Sequence, residues 1–399
     1  MENISAERSA HQLLEYCLAG TPWPEHLLED LLQGGHAALF RVVVERLGDL
    51  FEPRLCSVYA DLFSEVIARK IPGLHADHLV ARYERVRKPR VLDRDPAGVR
   101  NVFVLSRVTL GADVAITSVT LDAAKQRFPN ANIYFAGPTK SWELFAGDAR
   151  LRHLPIAYGR GGTIDDRLSV WRPLREAVCQ PHSIIIDPDS RLTQLGLLPI
   201  CPEVNYYFFE SRSCGGESDQ PLSRLTIRWV AETFGVEDAK PYIRTGFQTP
   251  EFASTVSFGV GENPAKRLSE EFEAELLQRL PKPLLLDKGA GGEEAQRAER
   301  AAAKAGPGVS LWDGSFAAFA AHIERSRLFV GYDSAGGHVA AACGVPLISI
   351  FSGFASERTY QRWRPTGTGP IWIIRPDQTT GSLAELLSAV TASARQASL

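Results

Sequence analysis

Read for hydrophobic and polar positions, the chain changes its period twice. Up to about Pro96, apolar residues recur at helical spacing in "AERSAHQLLEYCLAG", "WPEHLLEDLLQ" and "CSVYADLFSEVIARK", with Pro and Gly at the joins. This predicts a helical N-terminal extension over residues 1–96. From Val99, short β-branched runs alternate with helical stretches: "VRNVFVLS", then "DVAITSVTLDAAKQRF", "ANIYFAGP" and the wholly apolar "SIIIDPDS". Such alternation predicts a Rossmann-like domain over 97–246. Around "YIRTGFQTPEF" the chain turns polar, and a second series fills 247–399: "STVSFGVG", "LSEEFEAELLQRL", "PLLLDKG", "EEAQRAERAAAKAG" and "VGYDSAGGHVAAACGVPLISIF". The fold class expected is α/β, with two Rossmann-like domains facing a cleft. The amphipathic "SLAELLSAVTASARQ" predicts a closing helix that packs back across that cleft.

Composition narrows the function classes. With 399 residues, 44% of them hydrophobic and 23% charged, the chain can bury more than one core. A formal net charge of -3 gives no basic field for nucleic acid. No apolar run approaches a bilayer span, and the polar start "MENISAERSAHQ" does not resemble a secretory signal. The expected location is cytoplasmic, with peripheral association at the inner membrane face compatible with that. Six cysteines stand far apart without CxxC pairing, which signals neither a zinc site nor a disulfide framework.

Three turns at strand ends in the second series carry the candidate chemistry. In "GVGENPAKRLSEEF", Gly259 and Gly261 allow close backbone approach, and Lys266 brings a mobile cation to the next helix start, as a diphosphate requires. In "KGAGGEEAQ", Glu293 or Glu294 can accept hydrogen bonds from a ribose diol. In "DSAGGHVAAACG", a strand, a polar turn and a helix opening on small residues place free N–H groups and a positive dipole end at the sheet's carboxyl edge. Each turn taken alone is equally a solvated or tightly packed connection. Neither the Walker pattern nor GxGxxG is present, which weakens ATPase and dehydrogenase readings.

Together the order "GxGENPAKR…GGEE…DSAGGHVAAACGVPLISIF", preceded by "LSRVTLGADVAITSVTLDAAKQRFPNANIYF", resembles glycosyltransferase family 9, the heptosyltransferase family, from about Val99 to the C-terminus. The resemblance implies a GT-B fold. It also implies inverting transfer of a sugar, without a metal or other cofactor, from a nucleoside diphosphate, commonly ADP-heptose, to an acceptor hydroxyl on a glycan, lipid or protein, as in lipopolysaccharide biosynthesis. Carried over by position, Asp113 is the general base and Lys266 holds the donor diphosphate. Asp333 binds the sugar hydroxyls, and Ser334, Gly336, Gly337 and His338 surround the diphosphate. Gly261 and Glu293 or Glu294 complete the donor side, while Arg107 contacts an anionic acceptor or the phosphates.

The chain also departs from the family pattern. It has "GAD" where Gly-Asp is usual, Ala335 where a glycine is common, and Leu268 where a tryptophan is often found. These departures leave donor, acceptor and oligomeric state open. Asp113 could instead be a helix N-cap, and Asp187 and Asp189 in "IIIDPDSR" form a DxD that suits a divalent ion. Two further readings stand beside a transferase: a non-catalytic GT-B-like scaffold whose helical region docks a partner, and a nucleotide-sugar epimerase or hydrolase.

Overall fold

Short β-branched and aromatic runs become strands buried on both faces, so their backbones must pair with one another rather than with water. The structure, a computed structural model, describes residues 2–159, 161–261, 263–376 and 383–397. A first sheet contains β1 (Asn101–Leu105), β2 (Asn132–Gly137), β3 (Leu151–Pro155), β4 (Ser183–Asp187) and β5 (Tyr206–Phe208), in the order β3-β2-β1-β4-β5. β1 lies parallel to both β2 and β4, with Val102 opposite Ile133 and Ile184. A second sheet contains β6 (Ser254–Ser257), β7 (Leu284–Asp287), β8 (Val309–Trp312), β9 (Phe329–Tyr332), β10 (Leu347–Ile350) and β11 (Ile371–Ile374), in the order β11-β10-β9-β6-β7-β8. Its strands are parallel throughout.

In each sheet the strand order reverses once, between β1 and β4 in the first and between β6 and β9 in the second. At such a reversal the connections leave toward opposite edges, opening a crevice beyond the strands' carboxyl ends where ligands of open α/β sheets bind. The turns after β6 and β9, read above as ligand turns, flank the second reversal.

The chain divides into two compact units. One comprises residues 1–108, 123–139 and 152–239; the other comprises 109–122, 140–151 and 240–399. Asp113 therefore falls in the unit that contains the second sheet.

The N-terminal helices Glu2–Ala19, Glu25–Gln33, Pro53–Lys70 and Ala76–Val86 form as their apolar spacing predicts, joined by a π-helical turn at Leu39–Val44. They are not an appendage with a core of its own. Leu13, Leu28, Tyr59 and Phe63 share one apolar cluster with Phe103, Ile185, Leu197 and Tyr206 of the first sheet and its loops. Tyr83 packs its ring against that of Phe208, 6.1 Å between centroids. The closing helix, Leu383–Ala397, departs from expectation: it lies on the second sheet's own layer, packing Leu386, Leu387, Val390 and Ala394 into the cluster with Leu276, Ile348 and Ile374. It also packs on the neighbouring helix Glu270–Arg279. No helix among the described residues is long and apolar enough to cross a membrane.

Because the extension and the first sheet share a core, a chain beginning at residue 97 should lose cooperative folding, seen as loss of near-ultraviolet circular dichroism and of a sharp thermal transition. Within the full chain, Phe63→Ala should cost about 3–5 kcal/mol, read by denaturant unfolding; a neutral result would detach the helices from the core.

Candidate functional site

The turn after β6 carries Lys266 on a short 3₁₀ turn, Pro264–Lys266, capped by Asn263, whose side chain accepts from the Ala265 N–H at 3.1 Å. The Lys266 ammonium donates to Asp333 Oδ2 at 2.6 Å and to the Asp333 carbonyl at 3.0 Å. Both side chains are largely withdrawn from solvent, 22% and 12% exposed. The cation from the β6 turn and the acid from the β9 turn thus meet across the strand-order reversal of the second sheet.

Several residues that sequence reasoning missed hold this turn. Ser352 Oγ donates to the Lys266 carbonyl at 2.8 Å, and Asn263 Nδ2 donates to the Gly353 carbonyl at 2.9 Å. Gly353 lies at φ +64, and a Cβ there would sit 2.5 Å from the Ala265 carbonyl group. Behind the turn, the Leu268 N–H donates to Tyr332 Oη at 3.0 Å, Tyr332 donates to Glu273 at 2.8 Å, and Arg297 bridges Glu273 and the Leu268 carbonyl. Burial pushes the Glu273 carboxyl up, while its Arg297 and Tyr332 bonds oppose the shift. The "SG" after "PLISIF" was the only local signal; the Tyr332, Glu273 and Arg297 chain joins positions far apart in sequence.

After β9, the helix Ala335–Cys343 begins with Ser334 at its N-cap in extended geometry, and no side chain caps its first N–H groups. Ser334 Oγ is buried without a hydrogen-bond partner. The glycines have different tasks. An added Cβ at Gly336 would meet the Phe329 ring at 2.5 Å, so this glycine seats the helix on the sheet. At Gly337 it would meet only Leu347, at 3.9 Å. His338 is buried, its ring edge-on to Trp363 with centroids 5.9 Å apart. Burial lowers its affinity for a proton, with Asp333 opposing and Lys266 reinforcing that effect.

Asp113 lies inside a helix rather than at its N-cap. Thr109 occupies the cap of Leu110–Ala112, and the Asp113 N–H donates to the Thr109 carbonyl at 2.8 Å. Its backbone continues into a π-helical segment, Asp113–Thr117, and Thr117 Oγ1 donates to its carboxylate at 2.7 Å. The preceding Gly111 approaches the helix Ala335–Cys343 so closely that a Cβ would lie 3.3 Å from His338 Cδ2 and 3.4 Å from Ala335 Cα. The structure therefore brings the Gly111–Asp113 segment, Lys266, Asp333, Ser334 and His338 into one unit.

Other candidates stand apart or are otherwise engaged. Glu294 spans two loops by accepting from the Val260, Ala290 and Arg267 N–H groups, at 3.1, 3.0 and 3.0 Å. Glu293 is 76% exposed, and the recess between the loops measures only about 10 Å³. Gly261, at φ +60, has open space where a Cβ would be. Arg107 belongs to the first unit, donating to the Pro188 carbonyl at 3.0 Å and to Ser211 Oγ at 2.6 Å. In the DxD, Asp187 accepts from Thr193, Tyr206 and the Ser190 N–H, with burial pushing its carboxyl up to about 6. Asp189 is spent on Arg212 and Ser211. Among the described residues, no cluster of three or more His, Cys, Asp or Glu side chains could hold a metal.

Gly336→Ala should destabilise by about 1–3 kcal/mol by overpacking against Phe329, while Gly337→Ala should be near neutral; equal effects in thermal unfolding would contradict the packing. Because folded His338 resists protonation, the unfolded chain binds more protons below its ordinary value near 6.5. Its contribution to stability is thus present above about pH 6.5 and lost on acidification. Wild type should lose more stability than His338→Gln between neutral and mildly acidic pH.

Comparison with known proteins fits this geometry. Residues 286–371 match the description glycosyltransferase family 9 (heptosyltransferase). The fold matches a glycosyl transferase family 9 structure from Veillonella parvula, with TM-score 0.56 and 16% identity over 77% of this chain and 100% of that one. It also matches E. coli heptosyltransferase WaaC with ADP, with TM-score 0.55 and 16% identity over 74% and 99% of the two chains. The same enzyme with ADP-2-deoxy-2-fluoro heptose gives 0.53, at 15% identity over 74% and 99%. No curated protein sequence matches. At these identities the structural likeness is one of fold, and the sequence signature lies in the second half, where the turns after β7 and β9 and the whole β9-to-β10 connection fall. Residues 286–371 thus match the model of glycosyltransferase family 9, and the chain shares the GT-B fold of solved heptosyltransferases.

Proposed function

We propose that this chain transfers a sugar, with inversion and without a metal, from a nucleoside diphosphate, ADP-heptose being the leading donor, to a hydroxyl of a glycan, lipid or protein. The observation that carries this reading is the Lys266–Asp333 pair beside the uncapped start of Ala335–Cys343, at the strand-order reversal of the second sheet. A diphosphate drawn to that helix start meets free N–H groups, a positive dipole end and the Lys266 ammonium, which together stabilise the charge that grows on the leaving group. Asp333 is then released toward the sugar hydroxyls. His338, held neutral by burial, adds a hydrogen-bonding group without another charge.

On the acceptor side, Asp113 takes the hydroxyl proton as the new bond forms, a contribution of about 10²–10⁴ in rate. Thr117 fixes the carboxylate's orientation. Attack opposite the departing diphosphate passes through an oxocarbenium-like state and inverts the anomeric carbon. Independence from a metal is supported by the bonds of Asp187 to Thr193, Tyr206 and Ser190 and by those of Asp189 Oδ2 to Ser211 and Arg212.

Calorimetric titration with ADP and AMP tests the donor side. Lys266→Ala should weaken ADP by about 1.5–3 kcal/mol and AMP much less; equal weakening would assign Lys266 to packing. Asp113→Asn should keep ADP affinity while transfer falls at least a hundredfold, and near-normal turnover would remove Asp113 as base. A chelator should leave transfer intact; loss restored by manganese would return attention to Asp187 and Asp189. Failure to bind any nucleotide would favour the scaffold reading, whereas donor consumption without acceptor would favour a hydrolase or epimerase.

A further inference from the structure

The helical extension also meets the first sheet at the amino ends of its strands, and there it leaves a hollow. Three pieces of chain border a cavity of about 430 Å³: the turn 72–74 between helices Pro53–Lys70 and Ala76–Val86, the helix Trp171–Val178 that leads into β4, and the segment 199–202 that leads into β5. All three belong to the first unit. The cavity therefore lies apart from the strand-order reversals, whose crevices open at the carboxyl ends. Its size falls within the range of about 300–1,000 Å³ that small-molecule sites span.

Spacing sets one wall. Trp171, Arg175 and the C-cap residue Cys179 follow at four-residue intervals, which puts them on one side of the helix. Trp171 is 7% exposed, and its indole N–H donates to the Pro199 carbonyl at 2.8 Å, so the ring is fixed and the facing segment is held to it. Leu74 and Cys201 pack against the apolar cluster that contains Trp171. Burial pushes the Cys201 thiol up to about 12, which keeps it neutral at ordinary pH. Pro72, Pro199 and Pro202 offer no N–H. Gly73, at φ +87, turns the chain between the two helices, and open space lies where its side chain would be. The lining carries one charge. Arg175, exposed on the last turn of its helix, holds its guanidinium 6.0 Å from the Trp171 ring centre, and among the described residues no hydrogen bond or ion pair engages that guanidinium.

A ligand suited to these walls has an apolar body and one anionic end. A phosphate does not fit, because Arg175 stands where the negative end of the helix dipole opposes a second negative charge. A planar carboxylate needs only the one guanidinium, which it meets through two parallel bonds. Trp171 shows too little of its ring to stack an aromatic body, so the match is an alkyl chain lying along the prolines, Leu74 and the thiols. We propose that this cavity binds a medium-chain alkyl carboxylate, with Arg175 on the carboxylate, and that the ligand ties the extension's turn to the first sheet. The site shares no residue with the Lys266 and Asp333 turns and stands whether or not the chain transfers a sugar.

Calorimetric titration of the full chain with octanoate, octanol and acetate separates the two contributions: octanoate should bind at a single site, octanol more weakly and acetate not at all. Arg175→Gln should weaken octanoate at least tenfold, about 1.4 kcal/mol, without changing the affinity for octanol or for ADP. Cys179→Trp, at an exposed position on the cavity's border, fills the hollow and should abolish binding of both octanoate and octanol. Bound octanoate should slow the alkylation of Cys179 by iodoacetamide, followed by peptide mass spectrometry, and should raise the melting temperature as a ligand of the folded state does. Absence of octanoate binding, equal affinity for octanol and octanoate, or unchanged octanoate affinity in either variant would overturn the proposal.

Discussion

A parallel sheet whose strand order reverses cannot close its own carboxyl edge. At the reversal, adjacent strands send their connections to opposite sides, and the gap between them must be filled by whatever their turns carry. Both sheets of this chain meet that constraint with charge. In the second sheet, the β6 and β9 turns meet through Lys266 and Asp333, and in the first, the β1 and β4 turns meet through Arg107, Asp189 and Ser190. The remaining architecture supports these meetings. Tyr332, Glu273 and Arg297 clamp Leu268 behind the lysine turn, Gly353 and Ser352 press on its front, and Gly336 allows the following helix to sit against Phe329.

Much of this was legible in the sequence because the constraint acts locally. Fully buried parallel strands must be short, apolar and punctuated, and "SIIID", "STVS", "LFVGY" and "PLISI" advertise themselves accordingly. The strands that escaped notice are edges. β3 buries only Leu151 and β8 no residue fully, and their patterns "LRHLP" and "VSLW" mix exposed and partly buried positions, so neither alternation nor a continuous apolar run appears. The turns that bring Lys266 and Asp333 together stood out because glycine, lysine and acid are rare together at strand ends. The glycine roles were not: whether a missing Cβ serves a ligand or a neighbouring ring depends on Phe329 and Leu347, which sequence order does not set beside Gly336 and Gly337.

The same limit explains the helical extension and Asp113. Amphipathic spacing announces helices but not the surface that receives their apolar faces, and here the recipient is the first sheet, through Tyr59, Phe63 and Tyr83. Asp113 follows a turn in which Val108, a β-branched residue, adopts φ +59. That conformation is costly for such a side chain. It lets the chain leave β1, start a helix at Thr109 and carry Gly111 against His338. Ala112 lies between Gly111 and Asp113 in the same helical turn. The π-helical turn that follows sets the carboxylate against Thr117.

Under the proposed function, the Lys266–Asp333 pair accounts for how two groups are oriented before a ligand arrives. An isolated lysine at a partly buried turn would be mobile, and an isolated aspartate beneath it would bear an uncompensated desolvation cost. Paired at 2.6 Å, each orients the other. Because both are largely withdrawn from solvent, the desolvation of each offsets much of their attraction, and the pair is worth little in net stability. A doubly charged anion that also collects the N–H groups at the start of Ala335–Cys343 offers the lysine more than Asp333 does. The exchange then leaves a carboxylate without its cation, beside whatever the anion carries with it, and sugar hydroxyls are the partners such a carboxylate can accept from. On the proposed reading, a pair of small net worth orders both side chains and still lets a diphosphate exchange for Asp333 on the lysine.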